Sequence, residues 1–255
     1  SGVDYEKLRE RFGVEMVDIS LDEVFEQYET VDGDSVRAEA EKFVAQARSI
    51  NAKETNLEEV VKAMRLYAAI ENLCSKYALS AFTLNCFDLI PVTKTTGCLA
   101  LALFNERGIP AGCEGDLQTI LTMVAVGAAL DCPCFMANPS KILNVAEHEM
   151  ILAHCTIART MTKEYVVRSH FESMSGVAIE GIIDESKLTI VKWGGKDMER
   201  YFVSEADLIE CLDNPIMCRT QLHVRLDESP EYFLQNSIGN HHVIVIGSNG
   251  EQLTP

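Results

Sequence analysis

Basic residues are scarce in this chain: 22 Lys and Arg stand against 39 Asp and Glu, a formal net charge of −17 over 255 residues. No Lys/Arg cluster relieves that balance, so a polyanion would be repelled and nucleic acid is excluded as a partner. Long apolar runs are also missing. The longest, such as Ile120–Leu130, are broken by Thr122 and Gly127 and fall far short of the ~20 residues that a membrane-spanning helix needs. No charged-then-apolar leader opens the chain, and Ser1-Gly2 reads as an expression remnant. The nine cysteines are an odd number, most lie in apolar segments, and no C-x-x-C pair occurs. That usage describes reduced thiols of a cytoplasmic protein and not a disulfide scaffold. No internal repeat or low-complexity tract is evident.

What remains is an ordinary globular composition, with 47% apolar residues. A chain of this length buries roughly 70–75% of its unfolded surface. The first stretch, Tyr5–Asn56, is acidic and mostly helical in pattern, with a short strand expected at Val14–Ile19. Asp22–Tyr28 and Ser35–Ile50 read as helices with polar outer faces. Asn56 is placed to cap the next helix, which runs to about Tyr77. Leu79–Phe87 reads as a buried strand, Gly97–Phe104 as a helix, and Leu117–Leu130 as a helix with Asp116 at its N-cap. Cys134–Ala137 is expected as a short strand ended by Asn138-Pro139, and Glu149–Thr156 as another. This alternation predicts an α/β layer with a mostly parallel sheet.

Beyond about Tyr165 short β-rich runs dominate: Gly176–Ile183, Lys187–Trp193, Arg200–Glu205, Arg219–Leu226 and His241–Ile246. Asp184-Glu-Ser186 reads as a hairpin loop and Ser248-Asn-Gly250 as a turn. The expected fold class is α/β followed by mostly antiparallel β: a Rossmann-like α/β layer over 1–160 and a β-barrel-like domain over 161–255.

Four places carry residues suited to chemistry. In Gly112-Cys-Glu-Gly-Asp116, Glu114 lies between a glycine-rich turn and a helix start, where its carboxylate is aimed into a cleft or simply favours the helix dipole beside the Asp116 cap. His154 sits inside an apolar strand and needs a partner for each ring nitrogen, either a metal or backbone groups. In Asn240-His241-His242 the alternation of a strand lets only one histidine reach a given site. Cys132-Pro-Cys134 lacks paired zinc-ligand spacing, and a thiolate site with His154 and Cys155 is a minor alternative. Arg168, His170 and Arg219 are polar candidates for a cleft wall, or ordinary strand residues.

Several of these pieces together resemble one family. Asn85-Cys-Phe-Asp88, Gly97-Cys-Leu-Ala-Leu101, Gly108-Ile-Pro-Ala-Gly-Cys-Glu-Gly-Asp116, Leu152-Ala-His154 and Ile238-Gly-Asn-His-His242 resemble the L-fucose/L-arabinose isomerase superfamily, closest to its fucose-isomerase-like branch, from about residue 5 to 247. The resemblance implies a Mn²⁺-dependent (or other divalent-cation) aldose–ketose isomerase acting on a pentose or a 6-deoxyhexose. It implies a homo-oligomer, trimer or hexamer, with a small-molecule sugar as partner. It also implies that the chain starts within the family's middle α/β domain, as a fragment or a natural short form.

By position, Glu114 resembles the first metal-ligating carboxylate, His242 the C-terminal histidine ligand and His154 the strand histidine. Asn138 or Ala137 stands nearest to where the family carries a second carboxylate, and neither is an acid. An Asn oxygen can bind a cation but cannot serve as a base near neutral pH. Glu114 is then the candidate base and ligand, and Asp116 or Asp131 replaces the lost acid only if the fold turns it inward. Arg168, His170 and Arg219 are the candidate sugar-binding groups. The competing readings are an altered member that binds sugar without turning it over, and a different carbon-bond reaction on the same scaffold.

Overall fold

The structure, a computed structural model, describes residues 4–184 and 186–254. Ser1-Gly2 lies outside the described residues, as does part of the expected loop Asp184-Glu-Ser186. The chain opens with three helices, α1 (Tyr5–Phe12), α2 (Leu21–Thr30) and α3 (Gly33–Gln46), each started by a side chain that accepts backbone N–H groups: Asp4, Ser20 and Asp32. Val14–Ile19 forms no strand. Val14 and Met16 instead pack beside Leu121 and Trp193, which gives strand-like alternation without a backbone ladder.

A short strand β1 (Ser49–Ile50) precedes the long helix α4 (Leu57–Tyr77), capped by Asn56 as expected. Its first turns bury Val60, Val61, Ala63 and Met64 in one apolar cluster and its later turns bury Leu66, Ala69, Ile70 and Leu73 in another, so α4 joins two cores. Then come β2 (Phe82–Leu84), the single turn α5 (Ile90–Thr93), and α6 (Cys98–Glu106). The α6 residues from Cys98 to Asn105 are all buried, so the helix is enclosed on every side. The Asn105 amide donates to the Ala111 carbonyl (3.0 Å) and accepts from the Ala111 N–H (2.8 Å), which pins the start of β3 (Ala111–Cys113) to the end of α6. β3 leads through the Glu114 turn into α7 (Leu117–Leu130).

The remaining elements are β4 (Phe135–Asn144), β5 (Glu149–His154), β6 (Glu164–Arg168), β7 (Ala178–Ile182), β8 (Lys187–Gly194), β9 (Arg200–Cys211), β10 (Thr220–Leu226), α8 (Pro230–Asn236), β11 (His242–Ile246) and α9 (Gly250–Leu253). Six strands close into an antiparallel barrel in the order β10-β5-β4-β11-β8-β9. The α/β region holds only small sheets: β2 runs parallel to β3, and β1 pairs in parallel with β6, which pairs antiparallel with β7. One continuous parallel sheet is not what the alternation of elements built.

The barrel therefore begins at β4, ahead of the change of sequence texture near Tyr165, while β6 and β7 leave it to pair with β1. β4 is also longer than the sequence suggests. It continues through Asn138-Pro139, and the ladder with β5 shifts register just after Pro139, the kind of bulge at which a residue without an N–H fits a strand. Register places one row of residues across the barrel: Phe202 opposite Lys192, then His242 opposite Ala137, and His154 opposite Thr220.

The β6–β7 arm is tied down by charge. Arg168 donates to Glu54 (2.9 and 2.6 Å) and to Glu180 (2.5 Å), and also pairs with Asp213. The buried Arg219 guanidinium lies 3.3 Å from Glu54 and donates to the Ser169 carbonyl at 2.8 Å. Removing one partner of a buried ion pair leaves the others desolvated and uncompensated. Arg168→Ala is expected to lower unfolding free energy by about 3–5 kcal/mol in urea titration; a loss below 1 kcal/mol, the range of exposed pairs, would show that the cluster does not hold the arm.

Candidate functional site

The turn after β3 is built to present Glu114. Glu114 and Gly115 both take left-handed backbone conformations, with φ of 60° and 65°. A glutamate in that region costs free energy unless its surroundings hold it, a state found often where a side chain must be aimed. Here it puts the Glu114 carboxylate, the Cys113 thiol and the His154 ring within 4.8 Å of one another. Directly after the turn, Asp116 caps α7: Oδ1 accepts from the Thr119 N–H at 2.9 Å and Oδ2 from the Thr119 hydroxyl at 2.6 Å.

Asp116 also reaches across to the barrel. Its Oδ2 lies 3.0 Å from Nδ1 of His241 and 3.4 Å from Nζ of the buried Lys192, which bonds Thr119 as well. Burial alone raises its carboxyl pKa. The His241 and Thr119 hydrogen bonds and the Lys192 charge outweigh burial and hold the group well below the usual carboxylate range. Asp116 is thus an ionised acceptor and a poor base. An ionised carboxylate can only accept, so Nδ1 of His241 carries a proton, and Nε2 is the nitrogen that can offer a lone pair to a cation. That Nε2 is buried, has no hydrogen-bond partner, and lies 3.7 Å from Oε2 of Glu114. The His154 ring stands 5.3 Å from the His241 ring, nearly perpendicular to it, with its own Nδ1 on the Thr156 hydroxyl at 2.9 Å.

The structure therefore brings Glu114, Asp116, His154 and His241 together. His242 lies beside them but packs its ring against Phe233 (4.9 Å) and Phe202 (6.0 Å), with Nδ1 facing the Asn240 carbonyl at 3.1 Å. The histidine against Glu114 is His241. Asn138, half-buried and in register with Ala153, sits one strand position from the row that holds Ala137. Asp131 ends α7, at the opposite end from the Glu114 turn. Arg168 and Arg219 are engaged in the ion cluster of the β6–β7 arm, and His170 has its Nδ1 on the Ser173 hydroxyl at 3.0 Å.

Sequence reasoning left open which of His241 and His242 faces Glu114, the resemblance favouring His242, and it did not single out Lys192 or Cys113. Lys192 had a signal: it continues the alternate positions of Leu188 and Ile190, both fully buried.

An α/β region delivering a carboxylate-bearing turn to the histidines at the end of a β-barrel defines a two-part scaffold around one polar site. Residues 4–130 match the sequence model of the L-arabinose isomerase central domain, and the chain is related to that domain family. The match spans α1 to α7 and contains Glu114 and Asp116; His154 and His241 lie beyond it. No curated protein matches the chain.

Burial pushes His154 down to about 3, with His241 and His170 as lesser causes. It likewise pushes His242 down to about 4. An unfolded histidine titrates near 6.5. Between pH 6.5 and 4 the unfolded chain binds two protons that the folded chain refuses, so stability falls as pH falls, by about 3 kcal/mol per pH unit at the steepest. Asp116, depressed from its ordinary 3.8, adds a further loss only below that pH. Urea midpoints of chelator-treated protein are expected to drop between pH 7 and pH 5, and His242→Gln is expected to flatten the profile by about half. A midpoint independent of pH in this window would contradict neutral buried rings.

Proposed function

We propose that this chain is a divalent-metal aldose–ketose isomerase of the fucose-isomerase-like branch, acting on a pentose or a 6-deoxyhexose, with Glu114, His154 and His241 as the metal-holding set. The observation that carries the reading is the Asp116–His241 hydrogen bond, which turns a buried Nε2 without a hydrogen-bond partner toward Glu114. A carboxylate that fixes the tautomer and orientation of a ligating histidine is a recurrent companion of metal sites. One carboxylate and two imidazoles suit Mn²⁺ and similar divalent cations, so these three residues fit the group, with the Cys113 thiol beside Glu114 and His154 as a softer donor. When bound, such a cation polarises a sugar carbonyl and orients the neighbouring hydroxyl.

The chain's own groups supply the rest. Glu114, the exposed carboxylate of the set, moves a proton between adjacent sugar carbons from Oε1 or Oε2, the task that needs a base within hydrogen-bond reach. Asp116 stays ionised and orients His241. Lys192, buried beside it, balances its charge.

A second reading is favoured by Asn138. With no acid there, and with Asp116 committed to Lys192 and His241, a single carboxylate serves as both ligand and base. A member so altered binds metal and sugar without turnover.

The test is metal content by mass spectrometry after Mn²⁺ loading and desalting, followed by ketose detection from a panel of pentoses and 6-deoxyhexoses. Wild type is expected to retain near-stoichiometric Mn²⁺ and Glu114→Gln to lose it. Asp116→Asn is expected to weaken binding about 10–100-fold. Metal retained equally by Glu114→Gln would overturn the ligand assignment, and metal retention without ketose formation would establish the second reading.

A further inference from the structure

Beside the Glu114 site lies a second group of metal-ligating side chains. The Cys98 and Cys155 thiols and the His170 ring hold ligand atoms within 4.8 Å of one another, all three residues buried. Cys218, half-buried, packs against the same small cluster of Cys98, Cys155 and Ala178. The four residues come from four separate segments. Cys98 opens α6, Cys155 follows β5 directly, His170 follows β6 by two residues, and Cys218 precedes β10 by two.

We propose that Cys98, Cys155, Cys218 and His170 form a thiolate-rich zinc site, distinct from the Glu114 centre, that clamps the α/β region and the β6–β7 arm to the barrel. Three soft sulfur donors and one imidazole are the donor set of closed, four-coordinate structural zinc sites, whereas an oxygen-rich set suits Mn²⁺.

Three features of the surroundings support it. The His170 ring is oriented through Nδ1, which meets the Ser173 hydroxyl at 3.0 Å and accepts from the Ser173 backbone N–H at 3.3 Å; binding a cation through Nε2 moves the ring proton to Nδ1, where the Ser173 hydroxyl accepts it. The backbone N–H of Arg219 donates to Sγ of Cys155 at 3.4 Å. Thr96, 2% exposed and two residues before Cys98, carries a buried hydroxyl that has no hydrogen-bond partner. The charge also balances. Binding Zn²⁺ releases three S–H protons to solvent as three Zn–S bonds form, leaving the centre at −1, with no oxidation or reduction. The guanidinium of Arg219, 1% exposed, is shared between that charge and Glu54, 3.3 Å away.

The experiment uses the full chain, reduced, stripped by chelator and reloaded with Zn²⁺ or Co²⁺. One equivalent of Zn²⁺ is expected to bind with release of about three protons. Co²⁺ is expected to give intense tetrahedral ligand-field bands together with thiolate charge-transfer bands. Glu114→Gln is expected to leave those bands intact, which separates this site from the Mn²⁺ centre. Cys98→Ser and the milder Cys218→Ser, at a half-buried position, are each expected to remove the charge-transfer intensity in proportion to the sulfur lost and to weaken zinc retention at least 10-fold. Three results would overturn the proposal: no cation retained by the reduced protein, a Co²⁺ spectrum without thiolate bands, or bands unchanged in a Cys218→Ser protein that folds. A Cys98–Cys155 disulfide found in protein kept under reductant would overturn it as well.

Discussion

Asp116 accepts hydrogen bonds from the first turn of α7, from the imidazole ahead of β11 and from a lysine on β8. Two of those three partners belong to the barrel and one to the α/β region, so a single carboxylate is shared between the halves of the fold. Its desolvation is unfavourable by itself, and only the full set of donors makes the ionised form the stable one. The geometry of the site depends on this sharing. The helix cap fixes where the Glu114 turn ends, the lysine fixes where the barrel stands relative to the helix, and the hydrogen bond to His241 decides which nitrogen of that ring faces Glu114.

The halves are joined elsewhere by the same device, buried polar groups with complementary partners. Arg168 and Arg219 meet Glu54 between the β6–β7 arm and the loop after β1, and Arg219 also satisfies the Ser169 carbonyl. Apolar contact alone would let the α/β region slide on the barrel, because it is non-directional. Charged hydrogen bonds between fixed partners set one docking geometry and so hold Glu114 to His241 at contact distance.

Much of the fold was legible in the sequence, for local reasons. Asn56 and Asp116 are strong N-caps followed by helical periodicity, and both helices start where those residues place them. The barrel strands show as short apolar runs separated by turn residues. The closure of the barrel was not legible, because β4 and β5 precede the change of texture and no local signal says that they pair with strands about seventy and about a hundred residues away. Pro139 reads as a strand end until the bulge that accommodates it is seen. In the site, Glu114 stood out through its glycine neighbours, and His154 through its isolation in an apolar run. The choice between His241 and His242 rests on a hydrogen bond to Asp116, 125 residues away, which no spacing rule contains. Cys98, Cys155 and Cys218 stand alone in three segments and carry no joint pattern until the fold places them side by side.

The strand order of the barrel carries a consequence for how the molecule comes together. β4 sits between β5, its neighbour in sequence, and β11, about a hundred residues further on. Closure waits for that distant strand, and pairing across such separations is slow because a long loop must be ordered before any contact rewards it. His241 arrives with β11. The Glu114 turn and the α7 cap can form early, from neighbours in sequence, and stand ready without their imidazole. The polar centre is therefore among the last features to be completed, and a chain caught before that step has helices and hairpins in place but no site.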